Sequence, residues 1–536
     1  MNTRTLIRGA GCGVLLTLWY TTRLLGPSRQ VVYYHRFPLA DVYLAVLLDL
    51  LGVSFIAALG WLWIRRFDRA GLSLPLLMAG ILLLETRSLV YLYSHDSFDF
   101  SRGVWALAGG LLVLFVSALR WKARSVFDVA LRGIGWSLFV CGFAIFVLAT
   151  NLAYTALRTS GPEPPAVQAS QQPYSPGQSK VVWVLFDELS YDQTYEHRWP
   201  GLTLPNFDRA AAESVTFSNV EPAANYTNVA IPSMLLGRPA SRFHSSSTGD
   251  LFLYTDDTKK WERFDPSATV FAEARRLGWN SGVVGWANPY CRLMGAWLDD
   301  CYWLPYDNPI ISKSAMDPGR GIVANAARLP LEGLQMWMPM LGGDKGYRQN
   351  WVSLREQNYH LAMEHAHALI RNSSIRFQFI HLPVPHFPAV YDRKAATFSG
   401  RGSYLDNLAL ADLALGELLD ELVRSPEWPE TTLIISGDHS WRPWIWQEAG
   451  FWTAEDEAAS KRGFDSRPVV LVHLPNQHQG YAIAARYHAY ELALVIKAIM
   501  QDRIHGADDL LPQIYTRDQG LSALKTTRAP IPLEPF

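Results

Sequence analysis

Three short apolar runs in this chain each end in side chains that suit a metal ion. Residues 181–186 run into Asp187-Glu188, residues 376–381 carry His381 and lead on to His386, and residues 431–436 run through Gly437 into Asp438-His439. Each group alone has a plain explanation. A strand-end aspartate often caps the next helix, and a loop histidine more often hydrogen-bonds in the core or on the surface than ligates a metal. The repetition raises the interest, because parallel strands gather their carboxyl ends along one edge, where open α/β sheets place their chemistry. Carboxylates mixed with imidazoles suit zinc or a similar divalent ion, and one or two ions are compatible with these residues.

The missing part is a nucleophile. Thr227 and Ser233 in the stretch NYTNVAIPS are the candidates. A threonine hydroxyl is a weak nucleophile, but a bound metal lowers its pKa and polarises a phosphoryl oxygen. The apolar spacing over 229–236 fits a short helix, with Pro232 tolerated near its start. Thr227 then sits at or just before a helix N-terminus, where amides and dipole favour an anionic group. These parts suit phosphoryl or sulfuryl transfer through a covalent threonine ester. Arg442 and Lys461 are candidates to neutralise the migrating group or its leaving oxygen; the plain reading of both is solvated surface charge.

Positioning such residues takes a sheet. A buried parallel strand reads as a continuous apolar run, and KVVWVLF, RFQFI and TTLIIS all read so. Further strands are expected over 215–220, 280–285 and 469–474, and helices over 206–213, 269–277, 359–371, 405–423 and 487–500. The strand–helix–strand rhythm predicts an α/β domain. Residues 244–265 read as a surface excursion. Residues 286–345, rich in aromatics, Pro and Gly, read as a pocket wall or a lipid contact. Cys291 and Cys301 can pair if this part faces an oxidising compartment; the alternative is two reduced core cysteines.

The chain has 536 residues, more than one core organises. Its formal net charge of −1 lacks the basic excess of a nucleic-acid binder. Apolar residues crowd into 1–158, where five candidate spans of membrane length occur: 6–25, 39–64, 72–93, 104–119 and 134–156. Glu85 and Arg87 lie inside the third, either at functional depth or near one membrane face. Arg4 and Arg8, then Arg65, Arg66 and Arg69, then Arg120, Lys122 and Arg124 fall on one side of a five-span arrangement, which the positive-inside rule makes cytoplasmic. Arg23, Arg29 and Arg36 lie on the other side and count against it. The expected organisation is a transmembrane domain over 1–158, a Pro/Ser/Gln-rich linker over 159–178, a catalytic domain over 179–510 outside the cytoplasm, and a tail over 511–536.

The ordered set VLFDELSYD, LPNFDRAAAES, TNVAIPSMLLGR, IHLPVPHFP and IISGDHS resembles the alkaline phosphatase and sulfatase superfamily over about residues 179–505. The resemblance implies an α-helical transmembrane bundle followed by an α/β sandwich of alkaline phosphatase/sulfatase type, with a mainly parallel central sheet and metals at its strand ends. It implies Asp187 or Glu188 as first metal ligand, Asp438 and His439 as further ligands, and His386 near a second metal or the leaving group. Sulfatases place a cysteine or serine two residues before a motif proline; here that position is Ala230, and Met234 stands where the motif has arginine. Lipid phosphoethanolamine transferases instead place a threonine five residues before it, the spacing of Thr227 from Pro232. Those enzymes, and the phosphoglycerol transferases that share their plan, also have about five N-terminal spans and a periplasmic domain. The resemblance therefore implies an inner-membrane protein in which a phospholipid head group passes to Thr227, then to an envelope lipid or glycan, with zinc as the expected metal. The chain departs from that branch at DHSWRPW, where the branch has DHG-E-S, and no histidine falls between His439 and His473. A membrane-anchored phosphodiesterase or phosphatase, a sulfuric ester hydrolase and an inactive scaffold are the alternatives.

Overall fold

A computed structural model describes residues 3–17, 33–34, 39–64, 102–159, 179–306, 321–327 and 344–510, with isolated positions between them. The chain divides into a helical unit (1–162, 246–249 and 309–347) and an α/β unit made of the remainder.

The helical unit contains α1 (Thr3–Leu16), α2 (Leu39–Ile64), α3 (Arg102–Lys122) and α4 (Arg124–Arg158). Among the described residues, two helices, Ala40–Ile64 and Arg124–Arg158, are long and apolar enough to cross a membrane. Helix α1 is packed against both through small residues. A Cβ on Gly9 would lie 2.6 Å from Ala58 Cα, one on Gly13 2.3 Å from Ser54 Cα, and one on Gly11 2.1 Å from the Leu138 carbonyl oxygen. Glycine lets backbones approach this closely where apolar helices meet. Helix α4 begins at Arg124, ten positions before the start expected at 134, because only Ala123 interrupts the helical run from α3. Apart from positions 76, 80 and 159, the expected third span over 72–93, the linker over 159–178 and the tail over 511–536 lie outside the described residues.

The α/β unit is built on eight strands: β1 (Lys180–Asp187), β2 (Val215–Phe217), β3 (Ser281–Ala287), β4 (Asp300–Pro305), β5 (Phe377–Pro385), β6 (Thr431–Gly437), β7 (Val470–His473) and β8 (Tyr481–Ile483). Their order in the sheet is β8-β2-β7-β6-β1-β5-β3-β4. Only β7 runs against its neighbours; every other pairing is parallel. All residues of β1, β3, β5 and β6 are buried, as continuous apolar runs covered on both faces should be. Four helices serve the site: α5 (Thr227–Leu236), α6 (Tyr290–Met294), α7 (Asp344–Arg371) and α8 (Tyr404–Arg424). Helix α8 starts with a capping box between Ser403 and Asp406 and packs against β5, with Leu405, Leu408 and Leu415 buried.

Three expectations are corrected. The excursion at 244–265 is largely an antiparallel sheet of Ala240–Ser245, Leu251–Thr255 and Lys260–Arg263, announced by alternating burial at Leu251, Leu253 and Thr255. The stretch after 286 contributes α6 and the edge strand β4, joined by a Cys291–Cys301 disulfide. The last helix starts at Leu492, after a short strand at Tyr487–His488.

Candidate active site

Register builds the site. Leu185 of β1 lies level with His381 of β5 and with Ser436 of β6, so the ends of all three strands meet just beyond. Asp187 closes β1, and Asp438 and His439 follow β6 directly. Thr227 is the first residue of α5, with the extended Tyr226 before it. Pro232 falls in the middle of this helix rather than near its start.

Thr227 Oγ1 donates to Asp187 Oδ2 at 3.0 Å and lies 3.4 Å from His439 Nε2. His439 Nε2 is 3.3 Å from Asp438 Oδ2 and 3.9 Å from Asp187 Oδ1. His381 Nε2 approaches Asp187 Oδ2 at 3.4 Å. Asp187, His381, Asp438 and His439 are all buried. His386 is buried too; its amide donates to the Asp187 carbonyl (3.1 Å) and its Nδ1 donates to the Phe387 carbonyl (2.7 Å).

Glu188 does not join them. Its carboxylate accepts from the Arg442 amide (2.9 Å), Arg442 Nε (3.2 Å) and Trp446 Nε1 (3.0 Å). The cause lies in the backbone. Glu188 has φ of +70°, which turns its side chain away from that of Asp187 while its amide donates to Asp438 Oδ1 (3.0 Å). Such a conformation is uncommon outside glycine and clusters at functional turns. Glu188 thus holds Arg442, whose Nη1 also donates to the Asn225 carbonyl (3.0 Å), two residues before Thr227. Lys461 is exposed on the Ser460–Arg462 turn and joins none of these contacts. Ser233 is buried within α5, and its hydroxyl joins none of them either.

The electrostatics describe a site short of positive charge. Burial, then repulsion from Asp438, raises the Asp187 carboxyl well above the usual range, with Arg442 opposing. Burial also raises Asp438. Burial pushes His381 down to about 4 and His439 down to about 3, and lowers His386 strongly, with Arg355 and Arg442 adding to it. All three imidazoles are therefore neutral at pH 7.

Whether a divalent ion suits these residues is decided by unmatched atoms. Asp187 Oδ1 and Asp438 Oδ2 are buried and accept no hydrogen bond. His439 Nδ1 faces the Ser440 carbonyl at 3.0 Å, and a carbonyl can only accept, so Nε2 presents a lone pair. One atom each from Asp187, Asp438 and His439 lie within 4.8 Å of one another. Two unpaired carboxylate oxygens and an imidazole lone pair in a buried space are costly without a cation. The residues fit a divalent ion, and the carbonyl behind His439 is the kind of outer partner that orients ligating histidines.

Sequence reasoning missed the residues that support this centre. Asn288 and Tyr290 follow the end of β3 and face Thr227 and His381. Arg355 of α7 is wholly buried and donates to the Pro383 (2.7 Å) and His386 (2.8 Å) carbonyls. Asn407 of α8 donates to the Pro385, His386 and Pro388 carbonyls at 3.0–3.2 Å and accepts from the Val390 amide at 2.9 Å. The signal for Asn288 and Tyr290 was present: the run ending at Gly285 was read as a strand, and WANPY follows it.

Comparison with known proteins bears on this geometry. The profile of the Sulfatase family matches residues 179–442. Those residues, just under half of the chain, are similar to that family. The domain is accordingly of the alkaline phosphatase and sulfatase superfamily, and its fold and site support hydrolase or transferase chemistry on phosphate or sulfate esters. Similar solved structures include the phosphonate monoester hydrolase of Agrobacterium radiobacter (12% identity, 64% of this chain and 78% of that one, TM-score 0.35). The PsFucS1 sulfatase from Pseudoalteromonas sp. is similar at 14% identity (66% and 73% covered, TM-score 0.39). Murine ectonucleotide pyrophosphatase/phosphodiesterase 5 is similar at 13% identity (61% and 96% covered, TM-score 0.33). No curated protein sequence matches the chain.

Proposed function

We propose that this sulfatase-like protein is a metal-dependent head-group transferase. It takes phosphoethanolamine or phosphoglycerol from a phospholipid onto Thr227 and passes it to a lipid or glycan of the bacterial cell envelope. The observation that carries the reading is the threonine hydroxyl at a helix start, 3.0 Å from Asp187 Oδ2 and 3.4 Å from His439 Nε2. Two N-terminal helices of membrane-spanning length favour a lipid donor and an inner-membrane location, with the catalytic domain on the periplasmic side.

Asp187, Asp438 and His439 would hold the ion, zinc by their chemistry, beside Thr227. Once bound, it supplies charge that makes the threonine hydroxyl more acidic and a phosphoryl oxygen more electrophilic. Asp187 Oδ2, 3.0 Å from Thr227 Oγ1, accepts the Thr227 proton. Thr227 Oγ1 bonds to phosphorus, the bond from phosphorus to the diacylglycerol oxygen breaks, and that oxygen takes a proton from water. The start of α5 and the Arg442 guanidinium favour the phosphate negative charge there. His386, with Nδ1 donating to the Phe387 carbonyl, presents an unprotonated Nε2. In the second step it takes the proton of the acceptor hydroxyl as that oxygen attacks phosphorus and the bond from phosphorus to Thr227 breaks; Thr227 recovers its proton from Asp187, and His386 gives its proton to the hydroxide left when water protonated the diacylglycerol oxygen.

The test is intact-mass and peptide analysis of the protein incubated with head-group-labelled phospholipid. The expected result is head-group mass on Thr227 that persists until acceptor is added and is absent in Thr227→Ala. Rapid loss of the adduct to water alone would move the reading to a phosphodiesterase. No adduct on the metal-loaded wild type would overturn the covalent mechanism.

A further inference from the structure

One more strand end reaches the site. β3 finishes at Ala287 with φ of +63°, and the chain then turns tightly into α6. The Asn288 amide donates to the Trp286 carbonyl at 2.7 Å and the Tyr290 amide to the Asn288 carbonyl at 2.8 Å. A left-handed alanine persists only where its surroundings over-determine it. Both polar side chains of this turn face the reactive groups. The Tyr290 hydroxyl is 2.8 Å from His381 Nδ1. Asn288 Nδ2 lies 3.4 Å from the Thr227 carbonyl and 3.5 Å from the Tyr290 hydroxyl. The Tyr290 ring lies so close to Gly285 that a Cβ there would come within 2.1 Å of it. The next residue, Cys291, is bonded to Cys301 of β4, the strand that pairs with β3. The turn is therefore tied down on both sides.

We propose that Tyr290 is a positioning residue of the active site, and that the Cys291–Cys301 bridge acts through it. The proposal rests on the reading of Thr227 and Asp187 as the reactive pair. His381 Nε2 and Thr227 Oγ1 approach the same oxygen, Asp187 Oδ2. The Tyr290 hydroxyl fixes the imidazole at its far nitrogen, and this fixes what Asp187 Oδ2 meets. Without the hydroxyl the imidazole is held by the Trp286 backbone and Asp187 alone, and the division of the Asp187 oxygens between the metal centre and Thr227 loosens. The plain alternative is that Tyr290 only fills the core over Gly285. Tyr290→Phe separates the two, because it keeps the ring and removes the hydroxyl.

The experiment uses full-length zinc-loaded protein and two readouts: zinc affinity by chelator competition, and the rate at which Thr227 gains mass from labelled phospholipid. Tyr290→Phe is compared with the Cys291→Ser/Cys301→Ser pair and with all three changes together. Glu427→Gln serves as a stability control; it breaks the buried 2.5 Å pair with Lys180 at the opposite end of β1. Tyr290→Phe is expected to weaken zinc binding and slow Thr227 modification, each roughly tenfold, as loss of an outer partner does. The cysteine pair should shift both readouts in the same direction, and the triple variant should be no worse than Tyr290→Phe. Glu427→Gln should lower the melting temperature and leave both readouts alone. Wild-type zinc affinity in Tyr290→Phe overturns the positioning role, and additive losses in the triple variant overturn the link to the disulfide. If the wild type never gains mass, the transferase reading fails, and the zinc measurement still decides this inference.

Discussion

At the scale of the residue, the centre is built to be unstable on its own. Asp187 and Asp438 are buried close together with an unpaired oxygen each. Asp438→Asn removes one of the two charges yet can still accept from the Glu188 and His439 amides. The expected outcome is opposite in sign for stability and function: a higher melting temperature for the metal-free protein, and zinc affinity lowered more than about tenfold. Thermal unfolding with and without chelator reads both. The histidines set a pH dependence. His381 has a folded pKa of about 4 against an ordinary 6.5, so between those values the unfolded chain takes up a proton that the folded one refuses. Stability from this group is full above the unfolded value and is lost as pH falls. Metal-free wild type should therefore lose stability relative to His381→Gln as pH drops from 6.5 to about 4, by a total on the order of 3 kcal/mol. Paired melting curves across that range check it; parallel curves would contradict the buried neutral imidazole.

At the scale of the element, much was legible because strands and chemistry were written together. The runs ending in Asp187, His381 and Asp438 are buried on both faces, so they carry no polar alternation to confuse them. Thr227 was legible from helical spacing that begins right after it. Glu188 was not, because a sequence does not show that one residue of an acidic pair adopts a left-handed conformation and turns to an arginine 254 positions later. Asn288 and Tyr290 are not legible, because the stretch after 286 carries no periodic pattern, although β3 runs straight into it. The loop carrying His386 depends on α8 through one side chain. Asn407 makes four hydrogen bonds to it, all buried. Asn407→Ala leaves those backbone groups unmatched and should cost about 2–4 kcal/mol of stability. Its effect on Thr227 modification should exceed that of an equally destabilising change elsewhere, since His386 sits within the loop; a modification rate equal to wild type would deny the loop that role.

At the scale of the whole molecule, helices fit for a bilayer and a sulfatase-type sheet share one chain. The full chain should stay with the membrane fraction through alkaline extraction, and release into the supernatant would count against spanning helices. Metal should stabilise the α/β unit by mass action, about 2.7 kcal/mol at a hundredfold excess over the dissociation constant. The order of the sheet has a consequence for how the protein is made. β1 is the first of the eight strands to leave the ribosome, yet its two neighbours, β5 and β6, begin at Phe377 and Thr431. For nearly two hundred residues of synthesis, a ribbon apolar from Val181 to Phe186 has no partner on either edge. Such a segment is a standing invitation to wrong pairing. In nascent chains released before Phe377 the segment after residue 179 should be chaperone-bound and protease-sensitive, and in those released beyond His473, with β7 in place, it should not.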